Sequence, residues 1–306
     1  MKTSVILFIL AGAFTFSSEA AAHVLSPAIN LNGYHDLTIS GRVINGGNIP
    51  AITLTNCHNI RITKNTLGNS TDAGIYLYNC YNITIDYNKI ANVSTGVYVV
   101  NTSGGGISVT NNQFRNMHGP MPRGQFVQFN SVNGPGNRIS YNRGENIPGE
   151  SNPEDAINLF KSNGTADSPI KVVGNRVRGG GPSKSGGGIM LGDNGGSYQA
   201  ASDNILVDPG QYGIAVAGGD HIAVVGNTVY GRSQSFTNVG IYVWGQSGYH
   251  CSNITVSGNR VRFMNAKNIE NDSWIGTGEA KPAGWDNNQW GAQINSSVLP
   301  GAVVSF

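Results

Sequence analysis

The feature that most limits how this chain can fold is a short apolar run that ends, again and again, in asparagine. "IRITKN" ends at Asn65, "ITIDYN" at Asn88, "ISVTNN" at Asn112, "RISYN" at Asn142, "IKVVGN" at Asn175, "IAVVGN" at Asn227 and "ITVSGN" at Asn259, with a degenerate copy, "QAASDN", at Asn204. The intervals are 23, 24, 30, 33, 29, 23 and 32 residues. Upstream of each asparagine lies a second short run: "AITL", "GIYL", "GVYV", "FVQF", "AINL", "GIML", "GIAV" and "GIYV". Its apolar residues alternate at period two, the mark of a strand with one face buried. The inward pairs are Ile52/Leu54, Ile75/Leu77, Val97/Val99, Val127/Phe129, Ile157/Leu159, Ile189/Leu191, Ile214/Val216 and Ile241/Val243. In "GQFVQFN" the register is open, since Phe126 could replace Val127.

Repeats of this length with two or three strands each suit a coil better than a hairpin, because regular two-residue turns are missing. Stacked at roughly 4.8 Å, the coils would align equivalent residues in columns. The aliphatic columns would form one core, and the asparagine column an amide ladder. Composition agrees: 43 Gly and only 12% charged residues leave turn formers abundant and helix formers scarce. The fold class expected is all-β, a single-domain right-handed parallel β-helix of about nine coils. On the asparagine ladder and the aliphatic stacks, residues 29 to about 266 resemble the right-handed parallel β-helix proteins of the pectate-lyase-like superfamily.

Residues 1–22 read as a cleaved secretory signal: Lys2, the apolar run "VILFILAGAFTF", then the small residues of "SSEAAA". The β-helix is expected over 23–266 and a C-terminal cap over 267–306, where Trp274, Trp285 and Trp290 stand among Gly, Asn and Pro. The alternative for these tryptophans is a sugar-binding platform. The protein is therefore expected outside the cytoplasm, secreted or periplasmic, and off the membrane after signal cleavage. A net charge of +2 without a basic stripe gives nucleic acid no footprint. Cys57 and Cys80 fall at one position in consecutive coils, where a disulfide and a reduced pair are both possible; Cys251 holds the same position further on and should be buried and free.

Intervals above 23 mark inserted loops, and three cluster at one corner: residues 115–124, 143–155 and 178–187. They would wall a groove whose floor is the outward column Tyr76, Tyr98, Gln128, Asn158, Met190, Ala215 and Tyr242, with Tyr78, Val100, Asn130, Phe160, Gly192, Ala217 and Trp244 beside it. Rings and amides in alternation suit a sugar chain. Gln125, Gln128, Asn158, Phe160, Tyr212, Tyr242 and Trp244 are the candidate binding residues for a polysaccharide or oligosaccharide.

The charge of this neutral chain gathers at the same place. "EDAINL", with Glu154 and Asp155, resembles the "DDCVAI"-type motif of the polygalacturonase family, and that resemblance implies acid–base work for the two carboxylates. The family's other motifs are replaced. Its histidine falls on Gly187, its "NTD" on Arg123, Gly124 and Gln125, and its "RIK" on Ala215, Val216 and Ala217. Candidate catalytic residues are Asp155, Glu154, Glu150, Lys161, Asp193, Arg123 and His118. In a plain register Asp155 and Asp193 lie roughly 20 Å apart, at about 3.3 Å per residue. The second carboxylate is then sought in Glu154, Glu150 or Glu145, while Lys161 and Asp193 touch as a surface ion pair. Three readings stay open. A glycoside hydrolase would use Asp155 or Glu154 as the acid. A lyase or uronate epimerase would hold Ca²⁺ on Glu154 and Asp155 and take its base from Lys161, Arg123 or His118. A non-catalytic β-helix would only grip the glycan.

Overall fold

The computed structural model describes residues 24–120 and 124–306. The expected signal segment and Arg123 lie outside them. The chain winds into three parallel sheets of 10, 10 and 11 strands, in which successive coils pair equivalent strands. This is a right-handed parallel β-helix. The sheet that carries the groove runs from Ile29–Asn32 to Ser273–Ile275.

Register follows the aliphatic columns. Ile75, Val97, Val127, Ile157, Ile189, Ile214 and Ile241 are Cα partners in succession. All belong to one buried cluster running through the coil stack. A one-residue slip would turn a whole column outward, and each such side chain contributes about 1.5–3 kcal/mol on full burial. Val127 is the inward residue of its strand, and Phe126 is also buried, stacking on Phe114 with ring centroids 5.6 Å apart.

The asparagines form the expected ladder. The Asn65 amide donates to Asn88 Oδ1 at 3.0 Å, and the rungs continue through Asn112, Asn142, Asn175, Asn204, Asn227 and Asn259 at 2.9–3.1 Å. Each amide also reaches a backbone carbonyl of the preceding coil, such as Ile62 O from Asn88 at 2.9 Å. The residue before each rung turns the corner at positive φ; Lys64, Tyr87, Asn111 and Tyr141 have values of 55–58°.

The winding runs past residue 266. Asn259 donates to a further rung, Asn288, at 2.8 Å. Ser273–Ile275 and Gln289–Trp290 pair in parallel with Val239–Val243 and Arg260–Phe263. The tail thus adds strands to the stack. Trp285 and Trp290, 5.0 Å apart, pack on the end of the core and close it. Cys57 and Cys80 are buried, stacked and free, with Cys57 N–H donating to Cys80 Sγ at 3.4 Å. Cys251 is free but only half-buried, a departure from the expected burial.

Candidate active site: two carboxyl groups on one amide

The floor residues Gln128, Asn158, Met190 and Tyr242 point outward from the sheet, yet each is at most 7% exposed. The inserted loops and the neighbouring rings cover them. The result is a pocket of about 340 Å³ lined by Tyr98, Gln125, Gln128, Asn130, Glu154, Asp155, Asn158, Phe160, Ser185, Met190, Asp193, Asn194 and Gln246.

At its centre, Asn158 Nδ2 donates to Asp155 Oδ2 and to Asp193 Oδ2, both at 2.9 Å. Two oxygens that share one nitrogen are at most twice that distance apart, which overturns the separation of roughly 20 Å expected from a plain register. Side-chain reach through Asn158 brings the oxygens together, and a bulge turns Asp193 to the face that Asn158 occupies. Ile157 pairs with Ile189 and Asn158 with Met190, but Phe160 pairs with Asp193, one residue beyond its regular partner. Gly192 takes the extra place at φ 64°, where a Cβ would meet Gly218 O at 1.9 Å. Asp193 therefore replaces Gly192 in the outward column and faces the pocket.

The same bulge removes the expected Lys161–Asp193 pair. The exposed Lys161 ammonium instead lies 5.2 Å from the centre of the Phe160 ring. Glu150 and Glu145 also miss the groove. Glu150 is exposed and accepts from Asn116 at 3.0 Å, and Glu145 lines a different pocket with Arg178 and Arg232. His118 is exposed and absent from the pocket's lining.

Asp155 is held from three sides. Its Oδ1 accepts from Gly187 N–H at 3.0 Å and from the Tyr212 hydroxyl, and its Oδ2 from Asn158. Burial pushes this carboxyl up to about 7, against the three donors that favour its ionised form, and the Glu154 charge pushes the same way as burial. Burial also raises Asp193, opposed by the Asn158 bond. Tyr212, expected to bind sugar, is 1% exposed and turns its hydroxyl to Asp155 from beneath the floor.

Glu154 has its own partners. The Ser183 and Ser185 hydroxyls donate to its two oxygens at 2.6 and 2.7 Å, tying residues 178–187 to the floor. Ca²⁺ does not fit here. The oxygens of Glu154 and Asp155 are faced by five protein donors that a cation would have to displace, and among the described residues no group of three or more His, Cys, Asp or Glu is arranged to hold a metal.

Two buried acceptors in the pocket, Gln128 Oε1 and Asn158 Oδ1, have no hydrogen-bond partner among the described residues. Polar atoms buried this way await a donor. Beyond them the groove runs onto Tyr242, Trp244 and Trp274. Trp244 and Trp274 are each more than 40% exposed, with centroids 5.5 Å apart. Trp274 thus belongs to the groove, while Trp285 and Trp290 cap the core. Sequence reasoning missed Gln246, whose amide donates to the Tyr242 hydroxyl at 2.9 Å, because it follows the repeat in an irregular turn.

The model of a family described as "Right handed beta helix region" matches residues 2–142. No curated protein matches the sequence. Among solved structures the chain is similar to an alginate lyase from Paenibacillus sp. strain FPU-7, at 16% identity and a TM-score of 0.51, over 78% of this chain and 80% of that one. It is also similar to the tailspike protein of E. coli bacteriophage HK620, at 15% identity and a TM-score of 0.44, over 83% of this chain and 46% of that one. A third is the catalytic domain of a GH87 α-1,3-glucanase, at 11% identity and a TM-score of 0.41, over 88% and 64%. At 16% identity the likeness to the alginate lyase shows the fold alone.

Proposed function

We propose that this protein hydrolyses a glycosidic bond in a polysaccharide, with Asp155 as the acid and Asp193 as the carboxylate across from it. The observation that carries the reading is the shared Asn158 amide, which sets two carboxyl groups side by side in a pocket. The pair suits the separation of about 5–5.5 Å used by retaining glycosidases better than the roughly 6.5–9.5 Å of inverting ones.

The chemistry follows from the hydrogen bonds. Asp155 Oδ1 is filled by two donors, so the proton rides on Oδ2 and faces the pocket. Asp155 gives that proton to the leaving oxygen as an Asp193 oxygen bonds to the anomeric carbon. A water then loses a proton to the Asp155 carboxylate, attacks the same carbon and releases Asp193. Gln128 Oε1 and Asn158 Oδ1 accept hydroxyl donors of the bound sugar.

The lining holds three acids and six amides, with no Lys, Arg or His among the described residues. A uronate lyase or epimerase needs a cation for the sugar carboxylate, so a neutral glycan fits this lining better. Incubation with neutral and uronate polysaccharides, with and without a chelator, tests the reading. New reducing ends without absorbance near 235 nm, unaffected by the chelator, are expected. Unsaturated products would overturn it in favour of a lyase, and binding without any product would leave a glycan-binding module.

A further inference from the structure

The degenerate repeat "QAASDN" puts a glutamine where the coils on either side have Ile170 and Ile222. Gln199 is 1% exposed. A buried amide in an aliphatic column costs stability unless both its ends are bonded. Here both are: Oε1 accepts from Gly192 N–H at 2.9 Å, and Nε2 donates to Ser162 O at 2.7 Å. Gly192 is the bulge residue that swings Asp193 into the pocket, and Ser162 follows directly on the neighbouring strand Ile157–Phe160 and its turn residue Lys161. The glutamine therefore joins the two strands where their register shifts.

We infer that Gln199 is a positioning residue for Asp193: it holds the Gly192 bulge open from inside the core and so sets the distance between the two site carboxyl groups. An isoleucine at this position would leave Gly192 N–H and Ser162 C=O without the side chain they now share. A regular register would then be favoured, with Gly192 opposite Phe160 and Asp193 turned out of the pocket. Two further close contacts fit this role. A Cβ on Gly196 would lie 2.6 Å from Gln199 Nε2, and one on Gly192 would strike Gly218 O, so glycines make the room in which the glutamine and the bulge meet. The inference deepens the hydrolase reading and rests on it for its functional part, but its geometric part stands alone.

The test is Gln199→Leu, which keeps the volume and removes both bonds. The crystal structure of the variant is expected to show the bulge flattened and Asp193 off Asn158. On a glycan that the wild type cleaves, kcat should fall about a hundredfold with KM changed less than about threefold, as for loss of a placed acid–base partner. The limb of the pH profile set by Asp155 should also move, because the Asp155–Asn158–Asp193 bridge is broken. A folded Gln199→Leu protein that keeps the bulge and the Asp193–Asn158 bond overturns the inference. If the wild type cleaves nothing, the hydrolase reading fails and the crystal structure still decides the role of Gln199. Should the variant not fold, amide exchange in the wild type decides: protection of Gly192 N–H equal to that of the sheet amides is expected, and exchange at the rate of an exposed loop contradicts it.

Discussion

The ring of Tyr212 occupies the space in front of Gly187: a Cβ on Gly187 would lie 2.7 Å from Tyr212 Cγ. The glycine leaves room for the ring, and the ring brings its hydroxyl to Asp155. Where the polygalacturonase-type pattern has a histidine, this chain has no side chain and a tyrosine from the next coil takes the space. Gly187→Ala should therefore push Tyr212 off Asp155 and destabilise the fold by about 1–3 kcal/mol through overpacking. Denaturant melts and a crystal structure check this; an undisturbed Tyr212 in the variant would contradict it.

Tyr212→Phe isolates the hydroxyl. Its bond holds the Asp155 pKa down, against burial. Without it Asp155 keeps its proton to higher pH, and the alkaline limb of the activity profile should move upward. A downward shift would mean that Asp155 is not the group that limits activity there.

Asp155 also links stability to pH. Its pKa in the fold, about 7, is above the ordinary carboxylate value, so the native state holds a proton that the unfolded chain has released. That contribution to stability is full below about pH 4 and is lost as pH rises toward about 7. Melting temperature should fall across that window in the wild type and fall less in Asp155→Asn. Equal slopes in the two proteins would contradict the raised value.

The ladder is a separate claim about the fold. Asn142 donates to Val109 O and Asn175 Oδ1, and accepts from both nitrogens of Asn112, all within 2.9–3.1 Å. Asn142→Ala strands several buried groups at about 1–3 kcal/mol each, so a loss of about 3 kcal/mol or more is expected from urea unfolding. A loss under about 1 kcal/mol would show that the rungs carry little.

Much of the architecture was legible because each column repeats one residue type. Ile75 through Ile241 and Asn65 through Asn259 announce a period that a hairpin fold cannot use. Asn288 escaped notice because "WDNNQW" lacks the paired aliphatics before it, although Trp290 follows at the usual two-residue offset. The site was only half legible. Asn158 follows from the column and Asp155 from "EDAINL", but Asp193 reaches them through one inserted glycine, and alternation at Ile189 and Leu191 runs unbroken up to that point. The clue was a coil away, in the glutamine of "QAASDN". Tyr212 was among the candidate binding residues, but whether a ring lies over or under the floor depends on Gly187, which periodicity does not weigh.

The most direct test of the account compares the wild type with Asp155→Asn and Asp193→Asn on a neutral polysaccharide that the wild type cleaves, by release of reducing ends. The account predicts that both variants fold, melt cooperatively and lose activity by roughly 10²–10⁴-fold. Full turnover in a folded Asp155→Asn or Asp193→Asn protein would contradict it.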